Sequence, residues 1–145
     1  MKLRPLLIAL IASCASPAMA ASPRQFDLSC DVQRHWRDGT NAVEPVSVRI
    51  RVDLDQRRWC DDDCPATFEI DEVSENYVRF INLVSLIYED DNSGATPTKW
   101  EILVARDNGT YADVMWHPFE RSYWSGGKCE VAPFSGFPVS KERLF

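Results

Sequence analysis

Val46-Ser47-Val48-Arg49-Ile50-Arg51-Val52-Asp53-Leu54 alternates apolar and polar side chains without a break. Successive side chains of a strand point to opposite faces, so one face takes Val46, Val48, Ile50, Val52 and Leu54. Ser47, Arg49, Arg51 and Asp53 take the other. A strand with one dry and one wet face belongs to an antiparallel sheet.

The same period continues on either side. Phe26-Asp27-Leu28-Ser29-Cys30 alternates, Arg58-Trp59-Cys60 reads as a short strand, and residues 67–73 resume the pattern with Phe68 and Ile70 on one side. Residues 77–88 are rich in β-branched and aromatic side chains and read as one long or bent strand. Residues 99–106 and 110–116 flank Asn108-Gly109, a strong short hairpin signal, because a two-residue turn there needs positive φ at both positions. That turn pairs Asp107 with Thr110, Ile102 with Met115 and Leu103 with Val114. One face then carries Trp100, Ile102, Val104 and Met115. The other carries Leu103, Ala105, Ala112, Val114 and Trp116, and both are apolar enough to be buried. Residues 122–131 form a last strand, with a bulge expected at Gly126-Gly127. Seven or eight short strands with frequent turns, and no long helix, predict a small antiparallel β-barrel or sandwich.

The chain opens with Lys2 and Arg4, an apolar run over residues 6–12, and Ala18-Met19-Ala20, the small-x-small pattern of a signal-peptidase site. This predicts a signal peptide over residues 1–20 and a single β domain over 21–145, exported to the periplasm or secreted. Ile11-Ala12-Ser13-Cys14 offers an alternative, a lipoprotein anchored through Cys14. No other segment is apolar for long enough to span a bilayer as a helix. The charged Lys141, Glu142 and Arg143 before Phe145 break the alternation that an outer-membrane strand would need.

Without the signal, 14 basic face 22 acidic side chains, a net charge of −8. An acidic surface argues against nucleic acid and anionic lipid as partners and is compatible with a basic protein or a cationic ligand. Cys30, Cys60, Cys64 and Cys129 are an even set in an oxidising compartment, so two disulfides staple the domain. Of three possible pairings, Cys30–Cys129 with Cys60–Cys64 is expected, because the first and last strands are neighbours if the sheet closes. Chain entropy alone does not choose between the pairings.

Catalytic chemistry finds little support. The two histidines, His35 and His117, each sit beside a tryptophan. Two ligands alone do not make a metal site, and no metal or cofactor is called. Phe134-Ser135-Gly136-Phe137 lacks the leading glycine and the strand–helix setting of a hydrolase serine. Around Gly94, residues Glu89, Asp91 and Ser93 hold calcium-loop spacing, but Trp100 stands where the distal carboxylate belongs. What remains is 16 aromatic residues on a stapled β scaffold. The expected function is a non-catalytic binding or interaction module of the cell envelope, with an unidentified protein or small ligand as partner. Its expected binding rim is Ser93, Gly94, Lys99, Trp100, Trp116 and His117. The competing reading is a small enzyme using histidine and carboxylate side chains, which requires one of them buried in a pocket beside a polar partner.

Phe26-x-Leu28-x-Cys30, Trp59-Cys60-x-x-x-Cys64 and Cys129-x-x-x-Pro133-Phe134-Ser135-Gly136-Phe137-Pro138 resemble the layout of small exported bacterial proteins. Ser93-Gly94 and Thr98-Lys99 are similar, more distantly, to two motifs of the membrane-bound inhibitors of c-type lysozyme, small exported barrels whose Ser-Gly-x-x-Tyr loop enters the lysozyme cleft. Pro97 stands where that family has its tyrosine, and Trp100 where its second motif has glycine. The resemblance implies, as an alternative function, inhibition of a basic hydrolase such as lysozyme.

Overall fold

The computed structural model describes residues 23–61, 64, 66–88, 95–119 and 121–137. The expected signal peptide, Cys14, Ser93, Gly94 and the rest of the 89–94 loop lie outside the described residues, as do Asp62, Asp63 and residues 138–145. The described chain is all β: β1 (Gln25–Trp36), β2 (Val43–Asp53), β3 (Arg58–Asp61), β4 (Phe68–Glu69), β5 (Glu72–Val73), β6 (Tyr77–Tyr88), β7 (Ala95–Ala105), β8 (Thr110–Trp116) and β9 (Tyr123–Pro133). These make one curled antiparallel sheet in the order β4-β3-β2-β1-β9-β8-β7-β6-β5.

The two edge strands, β4 and β5, are separated in sequence only by Ile70 and Asp71. Two residues cannot span a flat nine-stranded sheet, since strands lie ~4.8 Å apart. The sheet therefore curls until its edges meet at that link. Residues 67–73, which the alternation predicted as one strand, are instead divided between the two ends of the sheet. Ile70, 1% exposed, fills the seam, while Phe68 remains 47% exposed.

The concave face holds the core. Leu28, Cys30 and Val32 of β1 meet Ile50 and Val52 of β2, Trp59 of β3, Phe80 of β6, Ile102 and Val104 of β7 and Tyr111 of β8. The alternating stretch that predicted β2 thus has its apolar face inside, as read. The β7–β8 hairpin buries the face of Trp100, Ile102 and Val104.

Its register differs from expectation. Ile102 pairs Asp113, Leu103 pairs Ala112 and Val104 pairs Tyr111. The turn is longer than two residues, with the Gly109 amide donating to the Ala105 carbonyl at 3.0 Å and φ +66° at Gly109. The slip is two residues, an even number, so every side chain stays on its face.

The strand β9 pairs β1 and β8 without interruption through Gly126 and Gly127. No bulge sits there; the register shifts instead between Arg79 and Ile81 of β6. Gly127 is needed for close approach, since a Cβ would lie 2.1 Å from the Asp31 carbonyl oxygen. Both disulfides form as expected. Cys30 faces Cys129 directly across β1 and β9, and Cys60–Cys64 closes the turn after β3.

Candidate functional site

Three features stand out among the described residues: an open cleft at the seam, a bare strand edge beside it, and a polar chamber inside the sheet.

The cleft arises because β3 and β6 approach across the seam without pairing. It has a volume of about 640 Å3 and is walled by Trp59, Phe68, Phe80, Leu83 and Trp100. The Trp59 ring packs 5.4 Å from Phe68 and 5.3 Å from Phe80, centroid to centroid, which fixes its orientation. The carboxylates of Asp61, Glu69 and Asp71 also line it. Arg79 takes Asp71 at 2.7 Å and Glu72 at 2.6 Å, and the Tyr77 hydroxyl donates to Glu72 at 2.8 Å. Asp61 and Glu69 have no ion-pair partner among the described residues.

The edge belongs to β6. On the side away from β7 it pairs only with the two residues of β5, through Val78 and Arg79. Beyond Arg79 that side has no strand partner among the described residues. Leu83 is 55% exposed, Val84 61% and Leu86 53%, so both faces of the strand present apolar groups to water. Residues 80–88 carry no charge at all. Edge strands are ordinarily blunted by charged side chains or by proline, and this one is not.

The chamber lies on the concave face, has a volume of about 330 Å3 and is bounded by Arg34, Trp100, Tyr111, Asp113 and Tyr123 among others. The Arg34 guanidinium lies 4.4 Å over the Tyr123 ring and its Nε donates to Ser125 Oγ at 3.3 Å. Asp113 is 3% exposed. Burial pushes its carboxyl above the ordinary carboxylate range, and Tyr123, the Arg34 charge, Trp100 and Tyr111 oppose that shift. Burial, with the Asp113 charge next, raises the Tyr123 hydroxyl to about 12 and the Tyr111 hydroxyl further still. Tyr123, Trp100 and Tyr111 lie within hydrogen-bonding reach of Asp113, while Asp113 Oδ1, Trp100 Nε1 and Trp59 Nε1 make no hydrogen bond of good geometry among the described residues.

The described residues of the expected rim do not share one surface. Trp100 faces inward, in the wall common to cleft and chamber. Its neighbour Lys99 points the other way, pairs Glu101 at 2.6 Å, and lies opposite Trp116 in the β7–β8 register. His117 stands beyond the end of β8, where its amide donates to Ser122 Oγ at 2.9 Å and its Nδ1 accepts from the Phe119 amide at 3.3 Å. A small hollow of about 320 Å3 joins Trp116, His117, Arg37 and Ser122. His35 lies flat on Trp124, centroids 3.8 Å apart. Neither histidine is hydrogen-bonded or ion-paired to a carboxylate among the described residues. Among the described residues no three His, Cys, Asp or Glu side chains are grouped to hold a metal, and no helix is long and apolar enough to cross a membrane.

Sequence reasoning missed Arg34, Tyr111, Asp113 and Tyr123. A carboxylate between Ala112 and Val114 in an apolar strand was the available signal, since charge on an inward position demands partners. It could not be used before the inward face was known. No family model, curated protein or solved structure matches the chain.

Proposed function

We propose that the mature chain is an exported, non-catalytic interaction module that takes an extended, basic segment of a partner protein along the β6 edge and the adjoining cleft. The observation that carries this is the edge of β6, which has no strand partner beyond Arg79 among the described residues and carries no charge over residues 80–88, with Leu83, Val84 and Leu86 exposed. A partner strand laid there satisfies the free backbone groups and covers apolar side chains in one step, the mechanism of strand addition. Asp61 and Glu69, which line the cleft without an ion-pair partner among the described residues, and the net charge of −8 favour basic side chains on the incoming segment. Two oxidised cysteine pairs agree with a non-cytoplasmic compartment. Catalysis has less to recommend it, because the histidines stand apart from carboxylates and no thiol is free among the described residues.

Fluorescence anisotropy with labelled peptides that alternate valine with lysine or with glutamate tests the reading. Binding of the lysine series, weakened about tenfold or more by Leu83→Asp or by Asp61→Lys, is expected. Equal binding of both series, or indifference to both substitutions, refutes it.

A further inference from the structure

The end of the curled sheet away from the Asp113 chamber holds a second hollow of about 330 Å3. Leu28, Leu54, Val78, Phe80 and Val104 line it, each no more than 6% exposed. Pro23, Phe26, Ala105, Val131 and the disulfide-bonded Cys129 complete its apolar wall. Its charged members are Arg106 and Asp107, both exposed and both in the turn between β7 and β8, where Gly109 joins them.

Val131 shows that the hollow is open. It lies opposite Leu28 in the β1–β9 register and so shares the inner face, yet it is 63% exposed. Water therefore reaches an apolar wall, and a ligand that displaces it gains free energy. None of the buried polar atoms that lack a hydrogen bond among the described residues belongs to this wall, so the interior selects hydrocarbon. Arg106 and Asp107 offer one charge of each sign, and Arg106 already donates to the Ser74 carbonyl at 2.8 Å, so the turn favours neither sign of head group. The volume is roughly twice the ~150 Å3 of a dry apolar cavity that takes one benzene ring. Most of the wall is aliphatic, with Phe26 and Phe80 its two rings, and a flexible chain moulds to such a wall better than a rigid ring system does. The mouth of a curled sheet is also a usual place for a ligand.

We propose that this hollow binds one unbranched hydrocarbon chain of about ten carbons, the tail of an amphiphile whose head group stays in water beside the Arg106–Asp107 turn. A free fatty acid and the tail of a membrane lipid present the same chemistry.

The test is a titration of the oxidised mature protein, followed through the methyl resonances of Leu28, Leu54, Val78, Val104 and Val131. Hexanoate, octanoate, decanoate, dodecanoate and tetradecanoate are added below their micelle concentrations. Each added methylene should tighten binding about threefold to fourfold, and the gain should stop near decanoate, where the hollow is full. Decyltrimethylammonium should bind within about fivefold of decanoate, because the turn carries both signs of charge. Val131→Trp, a substitution at an exposed inward site, should fill the mouth and weaken decanoate about tenfold or more. A decanoyl lysophospholipid separates the sources: binding as tight as decanoate marks a lipid tail, and exclusion marks a free fatty acid.

Methyl signals that no chain moves overturn the proposal. So does affinity that climbs through tetradecanoate without a plateau, the mark of adsorption to an open surface, and so does tighter binding of naphthalene than of decanoate. Should Val131→Trp fail to fold, Val131→Asp replaces it by setting a charge in the apolar mouth, and unchanged affinity in the folded variant overturns the proposal. Leu83→Asp should leave the chain titration untouched, so failure of the β6 reading and failure of this one are told apart. Loss of chain binding in Leu83→Asp would move the site to the β6 edge and overturn this assignment.

Discussion

Gly127 lies so close to β1 that a Cβ at its position would come 2.1 Å from the Asp31 carbonyl oxygen and 2.7 Å from Val32 Cα. Both atoms are backbone, so nothing can rotate away. Gly127→Ala should lower stability by about 3 kcal/mol or more, through forced separation of β1 and β9. Gly126→Ala, whose nearest neighbour would be the Trp124 ring at 3.5 Å, should cost no more than about 1 kcal/mol. Urea denaturation of the two variants measures the contrast. A pair of equal effects would contradict this packing.

The Cys30–Cys129 link joins residues 99 apart in sequence, and the Cys60–Cys64 link residues 4 apart. Loop-closure entropy scales with the logarithm of that separation. Replacing Cys30 and Cys129 together by alanine should cost about 4–5 kcal/mol, against roughly 2 kcal/mol for Cys60 with Cys64. Equilibrium unfolding of the two double variants under oxidising conditions gives the ratio.

Asp38 should leave a signature in acid. The Thr40 hydroxyl and amide donate to its Oδ1, and Arg121 donates to its Oδ2 at 2.7 Å while lying 3.9 Å over the Trp36 ring. These contacts, those from Thr40 foremost, hold its carboxyl down from 3.8 to about 2. A depressed carboxylate contributes stability above its unfolded value and loses it as pH falls through the folded one. Asp38→Asn should therefore be less stable than the wild type above pH 3.8, with the deficit closing as pH falls toward about 2. Thermal unfolding across that range checks the sign.

Asp113 should behave in the opposite sense. Burial raises its carboxyl, so the folded protein holds that proton more tightly than the unfolded chain does. Its ionised form is a cost that grows as pH rises through the raised folded value and is absent below the ordinary carboxylate range. Asp113→Asn, which resembles the neutral acid, should raise the unfolding midpoint at neutral pH. The advantage should shrink on acidification, and a gain that persists unchanged in acid would contradict the burial argument.

Val84→Lys places a charge on the β6 edge at a side chain 61% exposed. Fold stability should move by no more than about 0.5 kcal/mol, because little packing is lost. Concentration-dependent association should fall, since a lysine blunts an edge against strand pairing. Sedimentation velocity over a range of concentrations reads this separately from the unfolding midpoint.

Much of the fold was legible from local pattern. Alternation from Val46 to Leu54 identified β2 and its buried face, because a strand's side-chain period is independent of what it packs against. Asn108-Gly109 located the β7–β8 turn, but its length was misread, since the Gly109 amide closes back to Ala105 only in the folded hairpin. Alternation failed at residues 67–73, where Phe68 and Glu72 obey one pattern yet belong to opposite ends of the sheet. Gly126-Gly127 suggested a bulge, whereas the reason for Gly127 is the nearness of Asp31, a contact no local rule contains.

The sequence by itself determined the all-β class, the period and inward face of β2, and four cysteines placed for two staples, all of which follow from neighbours along the chain. Tertiary structure alone decided which strands close the seam, that Trp100 and Lys99 face opposite ways into different surroundings, and that Arg34, Asp113 and Tyr123 share one chamber. Those depend on a curl imposed by the two-residue link between the edge strands, which brings together side chains as far apart as Arg34 and Tyr123 and which no local period encodes.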